Sequence, residues 1–430
     1  VGQQCGSFQK KIILPITHAL PNVVLKMQKV LPDSNLFETN RVHSALDKVI
    51  QFSLITFVIF SMFSISVTQI SFALGAISWV IKVHLTKTWK ELRGAWVGVM
   101  ILCFCLTYVL SITTSVDLEG SLKYLKKLLQ FVIFFWAANA IQNEKQRDLL
   151  VGLVIIAGVA TALNGLWDSS FAGVRRIEGT RSTPATFSGA LMIVGLMALG
   201  RLLFYKPREF WVLGCVGIIS FCLLVSLTRQ AWLGFFVGTV FLLFFWNKKY
   251  FLILPVLLAV VLMFVGDNIA ERIYSLTNLK DSTLQARLFL WKGGWEIFKD
   301  HSITGCGYKC VDSIYSQYSD PSGLVAHYRG LHSNIMQLLV DTGIIGFVAW
   351  LSIWVAYFID VLKRSRALAK EKLQDNSSGV LMGASAAVLA FLAGGFFETN
   401  IYDSEVTMLL YFLMGLSLAQ VKETPRVKCD

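Results

Sequence analysis

What most limits this chain is a succession of apolar runs, each close to the thickness of a bilayer. They fall at 49–65, 67–81, 94–112, 122–141, 149–167, 184–200, 210–227, 231–246, 250–266, 343–362, 379–397 and 406–420. A helix crosses a membrane with about 20 apolar residues, and with somewhat fewer where it packs against other helices. Inside lipid every backbone N–H and C=O must be paired within the protein, so runs of this length are helices. The sequence therefore predicts an all-α, polytopic membrane protein with about 12 transmembrane helices. The cut between the first two runs rests only on Ser64, Ser66, Thr68 and Gln69, a weak turn signal.

Composition agrees. The chain is 55% hydrophobic and 15% charged, with mean hydropathy +0.61. A soluble domain needs far more charge to cover its surface. The net charge of +12 has no charge run or RNA-binding signature with it, which argues against nucleic acid. Its placement is informative instead. With the N-terminus inside, the short inner loops carry sixteen Lys and Arg, and the short outer loops four: Arg175, Arg176, Arg181 and Arg229. That asymmetry fixes orientation and puts 267–331 outside, which in a bacterium is the periplasm. The expected organisation is a cytoplasmic segment 1–48, nine spans over 49–266, the outer loop 267–331, a short helix and three spans over 332–420, and a cytoplasmic tail 421–430. Residues 1–48 lack the pattern of a signal peptide, and Ile12, Ile13, Ile16, Leu20, Val24 and Met27 suit a membrane face.

Residues held outside against the positive-inside bias are candidates for function. Lys123, Lys126 and Lys127 open the fourth run at i, i+3 and i+4, one side of a helix. Headgroup snorkelling and an outward-facing anion site are both open for them, and Arg181 joins the second reading. Arg229 lies in a connection of few residues between two outer span ends. Its paired N–H donors suit a diphosphate, though lipid phosphate is an equal alternative.

The outer loop is the one long polar interruption, and long connections usually carry function. Ser282-Thr283-Leu284-Gln285 fits a capping box. Leu284, Leu288, Trp291, Trp295 and Phe298 follow at helical spacing, predicting an amphipathic helix over 283–299 whose stripe meets the membrane domain or the interface. Arg287 stands near its start, where helix amides also favour an anion, although taken alone it reads more readily as a solvated loop arginine. His332, just past the loop, is a candidate base, since nearby arginines favour neutral imidazole. Ile335, Leu338 and Leu339 predict a short helix before the tenth span. Cys306 and Cys310 share the loop, and both a disulfide and two free thiols are open there. Cys103, Cys105, Cys215 and Cys222 lie in apolar runs and are expected to be buried. Walker A, dinucleotide-binding and zincin motifs are absent from the sequence. The outer acids Asp117, Glu119, Asp403, Glu405 and Glu398 are expected to orient the arginines or mark the outer side rather than hold a metal.

Taken together these pieces resemble the O-antigen ligase and polymerase superfamily of bacterial inner membranes, and the ligases most closely. The matching stretches are Thr228-Arg229, Ala286-Arg287, His301-Ser302-Ile303-Thr304-Gly305-Cys306-Gly307-Tyr308, and His332-Ser333-Asn334 with Gln337-Leu338-Leu339 and Gly343-Ile344-Ile345-Gly346. A weaker match runs from Gly179 to Phe187. Ser302 stands where the family commonly has proline, and Pro184 lacks its usual asparagine neighbours. The resemblance implies a GT-C-like transferase that moves a glycan from undecaprenyl diphosphate to a hydroxyl of lipid A–core oligosaccharide. It implies neither metal nor nucleotide cofactor, an arginine pair (Arg229, Arg287) on the diphosphate, and His332 as base. Arg181, Lys123, Lys127, Gly305, Gly307, Ser333 and Asn334 are the further residues expected to bind substrate. A polymerase differs only in its acceptor. A twelve-span transporter is disfavoured, because the runs hold almost no ionisable residue at mid-membrane and no paired broken helices.

Overall fold

Helix α1 (Ser34–Phe60) opens the described part of the chain and α2 (Ile65–Thr86) follows after a four-residue turn. The computed structural model describes residues 34–171, 177, 179, 181–252, 282–318, 330–370 and 376–419. Next come α3 (Ala95–Thr113), the short α4 (Leu118–Tyr124), a 3₁₀ segment Leu125–Phe131, and α5 (Val132–Ala140). Then α6 (Glu144–Phe171), α7 (Pro184–Phe204), α8 (Phe210–Val225) and α9 (Arg229–Trp246) complete the first part. After a stretch outside the described residues come α10 (Ser282–Asp300), the one-turn α11 (Val311–Ile314), α12 (Asn334–Lys370), α13 (Ser377–Gly394) and α14 (Ser404–Leu418). Among the described residues there is no strand.

Eight of these helices are long and apolar enough to cross a membrane: Arg41–Phe60, Ile65–Thr86, Ala95–Thr113, Glu144–Asp168, Pro184–Phe204, Arg229–Trp246, Asn334–Ala369 and Ser377–Gly394. They correspond to eight of the twelve apolar runs. Two more runs form the shorter apolar helices Phe210–Val225 and Ser404–Leu418. The ninth run lies outside the described residues. The fourth is not one continuous α-helix, being split into α4, the 3₁₀ segment and α5. The chain is a multi-pass membrane protein.

Burial separates a central group of helices from a peripheral one. In α7 and α13, 78% of the most apolar window is buried, against 28% in α2, α3 and α9. The two central helices meet through small residues. A Cβ at Gly200 would stand 2.7 Å from the Gly383 Cα, so only glycine permits that approach. The peripheral helices show the inverse of a soluble pattern. On α2, Ser71, Gly75 and Ala76 are buried, while Ile70, Leu74 and Ile77 are 60%, 53% and 60% exposed. This is a lipid-facing surface, and it corrects the expectation for the cysteines. Of the four cysteines in apolar runs only Cys222 is buried, whereas Cys103 is exposed and Cys105 and Cys215 are half-buried. An apolar run does not imply burial in protein when the solvent itself is apolar.

At one end of the bundle Arg147, Asp148, Arg201 and Glu209 form a closed polar network. Arg201 donates to both Glu209 oxygens at 2.9 and 3.0 Å and to the Asp148 carbonyl at 2.9 Å. The Asp148 carboxylate accepts from Arg147 and the Tyr205 hydroxyl at 3.1 Å each, and from Asn376 at 3.0 Å. Arg147 also donates to the Ser377 hydroxyl. Because α13 begins in this network, its C-terminus marks the opposite end, where the candidate site lies.

Candidate functional site

The second helix break explains the glycines of the outer loop. Gly343 interrupts α12 with φ 65° and ψ −171°, where the sequence expects a short helix to give way to a span. A break frees amides on one side and carbonyls on the other, and each needs a partner. Residues 302–307 supply them. Ile344 N donates to the Ser302 carbonyl at 2.9 Å, while Cys306 N and Gly307 N donate to the Val340 and Asp341 carbonyls at 3.0 and 3.1 Å. Such backbone-on-backbone contact leaves no room for side chains. A Cβ at Gly305 (φ 74°) would lie 2.4 Å from the Asp341 carbonyl carbon, and one at Gly343 2.2 Å from the Ile303 oxygen. Gly305 thus packs the loop onto the kink, while Gly307 (φ 96°) packs it against Ser115 and Ser121. Ser302 acts through its carbonyl, a role its side chain does not affect. Cys306 and Cys310 are joined by a disulfide, with their Cα atoms 5.8 Å apart.

This docked loop and α10 hold the turn before α12. Trp291 Nε1 donates to the Leu331 carbonyl at 2.9 Å, and the Leu331 amide donates to Gln337 Oε1 at 2.9 Å. His332 then adopts φ 46°, the left-handed region that side chains rarely occupy. A residue stays there only when its surroundings over-determine it, and such strain clusters at functional sites.

What holds it is a second tripeptide. His332 Nδ1 lies 3.0 Å from Glu398 Oε1, the Ser333 amide donates to Thr399 Oγ1 at 3.1 Å, and Asn334 Nδ2 donates to Asn400 Oδ1 at 3.0 Å. Each pair is 66 residues apart, so His-Ser-Asn and Glu-Thr-Asn run side by side in register. Asn334 also donates its amide to the Gly395 carbonyl at 2.7 Å and accepts from the Ile401 amide at 3.0 Å. Ser333 and Asn334 are 2% and 1% exposed. They clamp α12 to the α13–α14 connection.

Glu398 fixes the chemistry of the ring. Burial pushes its carboxyl up, but the hydrogen bond and charge of His332, the Arg287 guanidinium and the Thr399 amide outweigh that, leaving it below the ordinary value of 4.5. A carboxylate only accepts, so Nδ1 must donate. In the neutral ring Nε2 then carries the lone pair and is the nitrogen able to take a proton.

Arg287 sits half-buried in the second turn of α10 and acts on Glu398. Arg229 is the first residue of α9, after Leu227 at φ 55° and the buried Thr228. Its neighbour Gln230 lies against Gly394, next to the Gly395 that caps Asn334; a Cβ at Gly394 would be 3.0 Å from the Gln230 carbonyl. The N-terminus of α9 is thereby joined to the same cluster. Helix α10 carries apolar residues on more than the predicted stripe. It buries Ala286, Leu290, Gly294 and Ile297, while Leu288 and Trp295 of the predicted stripe are 46% and 49% exposed. Apolar residues occupy two adjacent faces, and its cluster with Cys306, Cys310, Val311, Ile314 and Leu331 decides which face turns in.

The remaining expected site residues are not gathered here. Arg181 is buried, pairing with Glu405 at 2.8 Å and donating to the Ser61 carbonyl. Lys123 is exposed and paired with Glu119 at 2.6 Å. Lys127 is half-buried and donates to the Tyr402 carbonyl. The α-helical face expected to unite the lysines is absent, because the chain tightens to 3₁₀ after Tyr124 and loses the 3.6 period. Pro184 is the first residue of α7, capped by Thr183, whose hydroxyl accepts from the Thr186 amide at 3.1 Å. Arg175, Arg176 and His327 lie outside the described residues. Glu398 as partner of His332 escaped the sequence reading, although the shared order of ionisable, hydroxyl and amide residues in the two tripeptides was a signal. Among the described residues no three His, Cys, Asp or Glu side chains converge to hold a metal ion.

The chain is thus a helical membrane bundle with a histidine–carboxylate pair, and an arginine acting on it, at one end. Known proteins make the class narrower. A family model described as O-antigen ligase matches residues 214–351, which contain Arg229, Arg287 and His332. The chain is also 25% identical over 355 residues to the exopolysaccharide production protein ExoQ of Rhizobium meliloti (strain 1021), covering 74% of this chain and 76% of that one. These similarities support membership of the O-antigen ligase and polymerase superfamily, and with it a membrane glycosyltransferase-like enzyme acting on lipid-linked glycans. Glu398 lies beyond the matched segment.

Proposed function

We propose that the chain is an O-antigen ligase, transferring a glycan from undecaprenyl diphosphate to a hydroxyl of lipid A–core oligosaccharide at the periplasmic face of the inner membrane. The observation that carries this reading is the His332–Glu398 pair at 3.0 Å with Arg287 acting on it. Nε2 of His332 removes the proton of the acceptor hydroxyl as its oxygen attacks the anomeric carbon. The bond from that carbon to the diphosphate oxygen breaks, and its electron pair leaves with the diphosphate. Arg229 and Arg287 hold that charge as it develops. Glu398 accepts from Nδ1–H and stabilises the imidazolium that forms. Direct displacement of this kind inverts the anomeric carbon and requires no metal.

The periplasmic placement is supported by the loop charges and by the Cys306–Cys310 disulfide, which persists in an oxidising compartment. Single cysteines at the exposed Ser313 and Ala369 test it. Impermeant maleimide should label the first and spare the second in cells with a permeabilised outer membrane; the reverse pattern overturns the orientation.

The relative concerned with exopolysaccharide production favours a second reading, in which the acceptor is another lipid-linked glycan. Purified protein in nanodiscs, given undecaprenyl-diphosphate oligosaccharide and one acceptor at a time, separates the two. Product on lipid A–core is the expected outcome. Chain extension on the lipid-linked glycan alone assigns a polymerase, and no product with either acceptor removes both readings.

A further inference from the structure

We propose that Lys127 and Lys309, set around the ring of Tyr124, form a subsite for the acidic group of a charged sugar in the transferred glycan. The proposal rests on the glycan-transfer reading. Both Nζ atoms lie 5.7 Å from the Tyr124 ring centroid. Tyr124 in turn stacks on Tyr308 with centroids 4.3 Å apart and planes at 28°. Tyr308 is buried between Tyr124 and Tyr402, the latter at 4.1 Å. Tyr124, half-buried, is thus the outer end of a three-ring pile, with two lysines near its ring.

Acids stand near the inner rings of this pile: Asp341, engaged by the Tyr402 hydroxyl and Gln337, and Asp312; the outer ring carries the two lysines. The electrostatic neighbours of Lys127 are the cations Lys309 and Lys126 and one acid, Asp403. The Asp403 carboxylate is already engaged by the Thr186 hydroxyl and the Glu405 amide. Two ammonium groups sharing one ring, in a partly dry setting, repel each other unless an anion joins them. The backbone of Lys309 stands at φ 52°, a conformation glycine or asparagine adopts at less cost. Below the platform, the Tyr108 and Tyr308 hydroxyls are buried without a hydrogen-bond partner among the described residues.

The ligand class follows from the pairing of aromatic and ammonium groups. Aromatic rings receive the C–H faces of sugars, and lysine is a point charge suited to a single carboxylate. A diphosphate is better matched by the forked guanidinium groups of Arg229 and Arg287. The subsite also belongs to the same end of the bundle as His332. Lys127 donates to the Tyr402 carbonyl, and Asn400, two residues earlier, accepts from Asn334. The cationic aromatic platform and His332 are thereby tied to the same Asn400–Tyr402 turn.

The test uses the full chain in phosphatidylcholine nanodiscs, with trigalacturonate as acidic probe and maltotriose as neutral control, read by calorimetry. Trigalacturonate should bind at least about tenfold more tightly than maltotriose, and Lys309→Gln should remove about tenfold of that affinity while Lys309→Arg keeps it. Lys309→Gln is the first choice because Lys127 also supports the Tyr402 carbonyl. His332→Ala should leave the binding unchanged, so failure of the base assignment and failure of the subsite are distinguishable. Equal affinity for both sugars overturns the proposal. So does trigalacturonate affinity that Lys309→Gln does not alter, or that disappears in phosphatidylglycerol nanodiscs, which would assign the lysines to lipid headgroups.

Discussion

The two ends of the bundle use the same kinds of residue to opposite effect. At the Arg147–Asp148–Arg201–Glu209 end, two arginines face two carboxylates, and Tyr205, Asn376 and Ser377 fill the rest. The groups there answer one another, and the result ties α6, α7, α8 and α13 together. At the His332 end one carboxylate is given to an imidazole instead. The ring sits on strained backbone, and its tautomer is imposed by Glu398. A closed network of ion pairs locks helices. An imidazole poised by a carboxylate retains a nitrogen that can move a proton.

The largest effect should come from breaking the second end at its centre. His332→Ala should lower transfer by about 10²–10⁴-fold with the protein still inserted, because general-base catalysis contributes that much. His301→Ala serves as control and should stay active. A His332→Ala enzyme with normal turnover on lipid-linked donor would falsify the base assignment.

Next come the partners of the ring and of the leaving group. Glu398→Gln keeps the shape but removes the charge, and Arg287→Lys or Arg229→Lys keeps the charge but loses the fork. A charge-assisted hydrogen bond contributes about 1.5–3 kcal/mol, so each change should cost about 10–10²-fold in turnover. If Glu398→Gln acts only on donor affinity, the carboxylate is a binding group and the contrast between the two ends weakens.

At the opposite end Glu209→Gln should be felt as stability alone. It removes half of a bidentate partner from the buried Arg201 and should cost about 1 kcal/mol, seen as a lower Tm with unchanged turnover per folded molecule. A fall in turnover at equal folding would show that this end also serves the reaction.

The smallest effect is a pH dependence of stability. Glu398 is held below its ordinary value of 4.5, so its contribution is fully present above that pH and is lost as pH falls through its lowered value. Acid unfolding of Glu398→Gln should lack this component. An acid limb identical to the native one would show that Glu398 is not ionised in the fold.

How much of this was legible in the sequence depended on whether the signal was local. His332-Ser333-Asn334, Arg229 and Arg287 stand out in the sequence because each lies in a polar break between apolar runs. The sequence places a boundary between a short helix and a span at residue 343; that it is a kink at Gly343 within α12 appears only in the structure. The pairing of the two tripeptides was not read, since residues 66 apart come together only when α12 and α13 are in place. Local strain defeated the lysine reading as well: Lys123 and Lys127 share a face on paper, and the change to 3₁₀ separates them.

By itself the sequence determined that the chain is helical, where most helices begin and end, and which few polar residues need a purpose. Those outcomes follow from hydrophobic run length and backbone hydrogen bonding, which are properties of a segment. Tertiary structure alone decided which face of α10 turns inward, why Gly305 and Gly307 are glycines, and which nitrogen of His332 faces Glu398. Each of these depends on what a distant segment places opposite, at separations of about 3 Å where hydrogen bonds form.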